Sequence, residues 1–157
     1  MIFDIIIKNQ LDELIEILEK EDVDLNQKNE FGNTPLNVAC KNGNTEIVKI
    51  LLKYPLDINV RGIDDCTPLY YAVSGKYTDI VKILIDKNAN LNLPDDDGNT
   101  PLMIAARNHD VNNSNELIKL LLDNGADPKI KNNYGNSVYK LLNMPKNKSI
   151  KDLFPPE

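Results

Sequence analysis

The residues in this chain that could do chemistry are one histidine, two cysteines, a set of aspartates and two sequon asparagines. His109 stands beside Asp110, a pair able to shuttle a proton or, with more ligands, to grip a metal. With a single histidine in 157 residues, no second imidazole exists at ligand spacing, so His109 reads as a solvated loop residue. Cys40 lies in the apolar stretch Val38-Ala39-Cys40 and is expected in the core as a small hydrophobe. Cys66 falls in a polar turn and is expected to be exposed, but no basic neighbour would turn it into a nucleophilic thiolate. Two cysteines are too few for a disulfide scaffold and fit a reducing compartment. Asp64, Asp65, Asp95, Asp96 and Asp97 offer carboxylates, but the thiol next to Asp65, Cys66, has no base to activate it. Asn112 and Asn147 head glycosylation sequons that a cytosolic chain would leave unused. No glycine-rich phosphate loop occurs. The chain is therefore expected not to be an enzyme and to need neither cofactor nor metal.

The elements that carry these residues recur. Thr34, Thr67 and Thr100 repeat every 33 residues, inside Gly32-Asn-Thr-Pro-Leu36, Asp65-Cys-Thr-Pro-Leu69 and Gly98-Asn-Thr-Pro-Leu102. Each is followed by an apolar run (Ile47 to Leu52, Ile80 to Ile85, Leu117 to Leu122) and a closing motif: Asp57-Ile-Asn59, Asn90-Leu-Asn92 and Asp127-Pro-Lys129. Threonine can cap free backbone N–H groups, and proline at the first helical position gives up only a donor that had no partner. A short helix, a turn and a second helix follow in each unit. Such a pair exposes apolar surface on both flanks, so it is stable only between neighbours.

The period and the Thr-Pro-Leu segments resemble the ankyrin-repeat family, across nearly the whole chain. The resemblance implies an all-α solenoid of stacked helix-turn-helix units with projecting β-hairpin or turn fingers. Residues 1–150 form one domain: an N-terminal cap at 1–28, repeats at 29–61, 62–94 and 95–131, and a C-terminal cap at 132–150. Residues 151–157 form a polar tail. Glu13 to Leu18 and Asp24-Leu-Asn26 align with the second helix and closing motif, so the first unit lacks a leading finger.

Departures from the pattern mark places of interest. The histidine expected after Thr-Pro-Leu is replaced by Asn37, Tyr70 and Met103. In ankyrin proteins that histidine ties one finger to the next, so these fingers are expected to be held less firmly. Asp65 replaces the glycine of the other units and must tolerate a left-handed backbone. Pro55 stands where Gly125 ends a helix, and it cannot adopt positive φ. Four extra residues enlarge the loop between Arg107 and Glu116.

The resemblance also implies where a partner binds: a groove made by finger tips and the exposed side of the first helices. It maps onto Glu30, Phe31 and Asn33, onto Arg61, Ile63, Asp64 and Cys66, and onto Asp96, Asp97 and Asn99. Asn133, Tyr134 and Asn136 complete the fingers, and Lys41, Asn42, Ser74, Gly75, Arg107 and Asn108 come from the helices. Phe31, Ile63 and Tyr134 either contact the partner or pack along the finger row. The expected function is protein–protein interaction; an inhibitor, or an effector delivered into a host cell to block a host protein, would use the same surface. Asn59 also resembles asparagines hydroxylated in animal ankyrin repeats.

Charge narrows the partner. With 18 Lys and Arg against 24 Asp and Glu, the net charge is −6 and the pI about 4.8. That sign repels nucleic-acid phosphates and anionic membranes and favours a protein with a basic surface. No apolar stretch approaches the roughly 20 residues of a membrane span, and the start (Met1 to Lys8) does not read as a signal peptide. A soluble, cytoplasmic, monomeric chain is the expectation.

Overall fold

Each Thr-Pro step starts a helix in the way its letters dictate. Thr34, Thr67 and Thr100 adopt extended backbone, and their Oγ atoms accept the N–H of Asn37 (3.4 Å), Tyr70 (3.2 Å) and Met103 (3.4 Å). The computed structural model describes residues 1–109 and 114–156. Its α-helices are α1 (Ile2–Ile7), α2 (Leu11–Lys20), α3 (Pro35–Asn42), α4 (Thr45–Leu51), α5 (Pro68–Ser74), α6 (Thr78–Asp86), α7 (Pro101–Arg107), α8 (Ser114–Asp123) and α9 (Val138–Leu142).

Two layers result. The first helices α1, α3, α5, α7 and α9 pack in sequence against one another, and each of α1, α3, α5 and α7 packs on the second helix of its own unit. Leu36, Leu69 and Leu102 fill equivalent places and are essentially sealed from water, with Ala39, Ala72 and Ala105 beside them. The inner helices are sandwiched on both flanks, which is why nearly all of α7 is buried. The second helices bury one stripe each: Ile47, Val48 and Leu51 in α4; Ile80, Val81 and Leu84 in α6. Met1 stands at the N-cap of α1, where the repeats that follow have a threonine.

The closing motif builds a ladder along the solenoid. Within each unit the Oδ1 of Asp24, Asp57, Asn90 or Asp127 accepts the N–H two residues on. Between units, Asn26 Oδ1 accepts the N–H of Asp57 (2.7 Å), Asn59 that of Asn90 (2.8 Å) and Asn92 that of Asp127 (2.8 Å). Every rung is the same bond. Lys129, which stands where the asparagine would be in the next unit, brings no side-chain acceptor to continue it.

Three expectations meet the structure differently. Pro55 does alter its helix end: α4 stops at Leu51 and closes through Leu52 at φ −70, whereas Asn88 and Gly125 turn left-handed at φ 62 and 96. Among the described residues the fingers are hydrogen-bonded turns, with no strand or bridge assigned. Residues 151–154 of the expected polar tail continue the C-terminal cap: a 3₁₀-helix over Pro145–Leu153 folds back on the array, Ile150 and Phe154 are buried, and the Phe154 ring meets Tyr139 edge-on at 6.5 Å. The signal was present in Ile150 and Phe154, two apolar residues among lysines. The centre of the enlarged loop, 110–113, lies outside the described residues.

Candidate protein-binding surface

Four fingers line up beside the first helices, and three of them share an anchoring Asn or Asp side chain. In the first, Asn29 Oδ1 accepts the N–H groups of Phe31 and Asn33, both at 3.0 Å, and Gly32 turns left-handed at φ 75. The fourth repeats both bonds, with Asn132 Oδ1 accepting from Tyr134 and Asn136, and in the third Asp95 Oδ1 accepts the N–H of Asn99 at 2.7 Å. The second has Gly62 there and turns instead through two consecutive left-handed aspartates, Asp64 (φ 53) and Asp65 (φ 55). Arg61 braces it, donating from Nη1 to the carbonyls of Asp65 (3.2 Å) and Pro94 (2.7 Å).

This plan sorts the expected site residues by position. One row turns inward: Asn33 is 5% exposed, Cys66 6% and Asn99 3%. Asn33 Oδ1 accepts from the Ile63 N–H (3.3 Å) and the Tyr71 hydroxyl (3.0 Å), and a Cβ on Gly62 would collide with that oxygen. Asn99 Oδ1 accepts from Arg107 Nη2 (3.0 Å) and Asn132 Nδ2 (2.9 Å). Asn33 and Asn99 therefore tie finger to finger, and their polar atoms face the array rather than a partner. Cys66, expected exposed, is buried because it occupies this same row. Its thiol is pushed up to about 12, by burial first and then by Asp95, Asp64, Asp96 and Asp65. Cys40 is fully buried, as expected.

The other row points out. Phe31, Asp64, Asp97 and Tyr134 occupy equivalent tips, with Glu30, Ile63, Asp96 and Asn133 beside them, and all eight are exposed. Phe31 is 63% exposed, Tyr134 69% and Ile63 41%. Tyr134 also packs along the row: its hydroxyl donates to Asp97 Oδ1 at 3.0 Å, and that bond, before the nearby charges, raises its pKa.

The fingers are tied more firmly than the missing histidine suggested. Asn37 Nδ2 donates to the Cys66 carbonyl (3.4 Å), and the Tyr70 hydroxyl donates to Asp95 Oδ2 (2.6 Å), so two of the three substitutes span units. Met103 is an apolar core residue and makes no such tie. The fourth finger is held by Asn133, which donates from its backbone to the Asp97 carbonyl and from Nδ2 to that of Asp96.

Two clefts open between the fingers and the helices. One, about 330 Å³, is lined by Ile7, Phe31, Val38 and Ile63. The next, about 620 Å³, is lined by Asp64, Asp95, Asp96 and Asp97, with Tyr70, Tyr71, Ser74 and Gly75 as its other wall. Lys41 borders both, and its Nζ lies 5.6 Å over the Tyr71 ring. Burial first raises the pKa of both tyrosines, followed by the hydrogen bond to Asp95 at Tyr70 and by nearby Cys66 and Asp64 at Tyr71, so both stay neutral hydroxyls. Arg107 sits farther along, at Asn99, and Ser74 and Lys41 are exposed.

His109, the one imidazole, places Nε2 3.1 Å from Ser149 Oγ. No group of three or more His, Cys, Asp or Glu that could hold a metal ion occurs among the described residues, and no described helix is long and apolar enough to cross a membrane.

A search of the curated proteins finds no match to the chain. A family model described as ankyrin repeats (3 copies) matches residues 3–95 and 54–132. That span takes in α1 through the start of the fourth finger, every rung of the asparagine ladder and all three Thr-Pro helix starts. The chain belongs to the ankyrin-repeat family.

Proposed function

We propose that this chain binds a partner protein through the finger tips and the two clefts beside them. Ankyrin repeats generally mediate protein–protein interaction, and the family is in general a non-catalytic module. The observation that carries the reading to this surface is the exposure of Phe31, Ile63 and Tyr134 on one edge. Their backbone turns are fully specified by Asn29, Arg61 and Asn132, so these side chains are presented on stiff supports. A stiff apolar anchor loses little entropy when a partner covers it.

Photo-crosslinking tests this. A photoreactive residue in place of Phe31, Ile63 or Tyr134 should give protein adducts in cells of the source organism. The same residue in place of Lys82 or Lys119, on the opposite face, should give none. Adducts from the opposite face alone, or none from any position, would contradict the reading.

A further inference from the structure

Resting on that reading, we infer that the ligand is an extended peptide segment carrying an apolar side chain and, three residues away, a lysine or arginine. The apolar cleft under Phe31 and Ile63 takes the first, and the acidic cleft beside it takes the second.

The chemistry of the two clefts differs although they are neighbours. Ile7, Phe31, Val38 and Ile63 make the first mainly apolar, with no carboxylate and Lys41 as its one charged lining residue, and about 330 Å³ is room for one large aliphatic side chain. The second carries four carboxylates against one ammonium. Among the described residues, the carboxylates of Asp64 and Asp96 have no hydrogen-bond or ion-pair partner, while Asp95 is already engaged by Tyr70 and Asn99. The tip row itself reads Phe31, Asp64, Asp97, Tyr134, with aromatics at its ends and acid at its centre.

A second observation points to a cation independently of the acids. Lys41 already places its ammonium 5.6 Å over the Tyr71 ring, at the mouth of the acidic cleft. The geometry is that of a cation–π contact, so the cleft is shaped to hold a positive head group against an aromatic face. Lys41 is exposed, so its head group can exchange this place for solvent, and it stands in for the ligand's own cation. The other candidate occupant, a second copy of the chain, would bring its own acidic face and a net charge of −6 to the meeting.

Spacing follows from the solenoid. The clefts lie one unit apart, and neighbouring helices pack at roughly 8–10 Å. An extended chain advances about 3.3 Å per residue, so about three residues bridge them.

The test uses the full chain and short fluorescein-labelled Gly/Ser peptides that carry one Leu and one Arg at varied separations, read by anisotropy. The peptide with Leu and Arg three apart should bind best, at least about fivefold more tightly than the same peptide with Glu for Arg. Asp64→Asn with Asp96→Asn should weaken it about threefold to tenfold and flatten its salt dependence, and Lys41→Met should tighten it. Circular dichroism confirms that each variant is folded. Equal binding of the Arg and Glu peptides, best binding at seven apart (a helical ligand), weakening by Lys41→Met, or no binding by any peptide up to about 1 mM would overturn the inference. So would mass that rises with concentration and is abolished by Lys148→Glu with Lys151→Glu, the mark of self-docking. The Ile63→Ser variant separates the two levels. If it abolishes binding while charge is irrelevant, the groove stands and the ligand class falls. Where neither Ile63→Ser nor the Asp pair has any effect, the peptide binds elsewhere and the groove reading falls too.

Discussion

Two rows of loop residues run the length of this molecule, and they follow opposite rules. In the closing turns, Asn26, Asn59 and Asn92 repeat one residue and one bond, each accepting a backbone N–H of the next unit. At the finger tips, Phe31, Asp64, Asp97 and Tyr134 fill equivalent places with unlike side chains, and none is buried. A row whose side chains complete the scaffold is confined to one chemistry, because every unit presents the same backbone group to satisfy. Where the scaffold is already complete beneath it, as at the tips, a row can carry any chemistry. The lesson is that identity between the repeats marks architecture here, and difference between them marks recognition.

The core sets the scale against which both rows are measured. Leu69→Ala or Leu84→Ala should cost about 3 kcal/mol in urea unfolding, from lost burial plus a residual cavity in the tightly packed centre of the array. Next comes the ladder: Asn59→Ala should cost about 0.5–1.5 kcal/mol, because it removes the rung to the exposed Asn90 N–H. Phe31→Ala and Asp64→Asn, the latter keeping a residue suited to the left-handed backbone at φ 53, should each change stability by less than about 0.5 kcal/mol. If Asn59→Ala proves neutral, or if Phe31→Ala costs as much, the division between the rows fails.

A smaller effect of opposite sign tests the second finger. Asp65 holds φ 55 where Gly32, Gly98 and Gly135 stand in the other fingers, and glycine adopts that region without a Cβ penalty. Asp65→Gly should therefore stabilise by a few tenths to about 1 kcal/mol in the same assay.

The inward row has a pH signature. The Cys66 thiol is held near 12 in the folded chain against 9.0 without the fold. Its contribution is fully present below the unfolded value; above it the unfolded chain releases the proton first, so stability falls as pH rises through that window. Urea unfolding at about pH 8 and about pH 10 should show a loss that Cys66→Ala reduces. Native thiol labelling should be slow at both cysteines, with Cys40 inert until the chain unfolds.

The architecture was legible because its causes are local and repeated. Thr-Pro fixes each helix start, and the apolar stripes fix which faces meet. The ladder was visible only as letters: Asp57-Ile-Asn59 and its equivalents repeat in the chain, but that the asparagine reaches the next unit depends on stacking. Cys66 was misplaced because a turn residue looks exposed in one dimension. The inner edge of a finger faces a neighbouring helix that the sequence does not place beside it. The same cause hid Asn33 and Asn99, which read as polar tips and turn out to be ties between fingers. At the C-terminus, lysines outvoted Ile150 and Phe154 in composition, although two apolar side chains are enough to fold a short segment back onto an open end.

The central claim is that the differing row binds and the identical row holds. It is tested most directly by the affinity of the folded chain for its crosslinked partner in two triple variants. Phe31→Ser with Ile63→Ser and Tyr134→Ser should abolish binding with the unfolding midpoint nearly unchanged. Asn26→Ala with Asn59→Ala and Asn92→Ala should lower the midpoint while the fraction still folded binds as before. Retained binding in the first variant, or lost binding in the folded fraction of the second, would contradict the account.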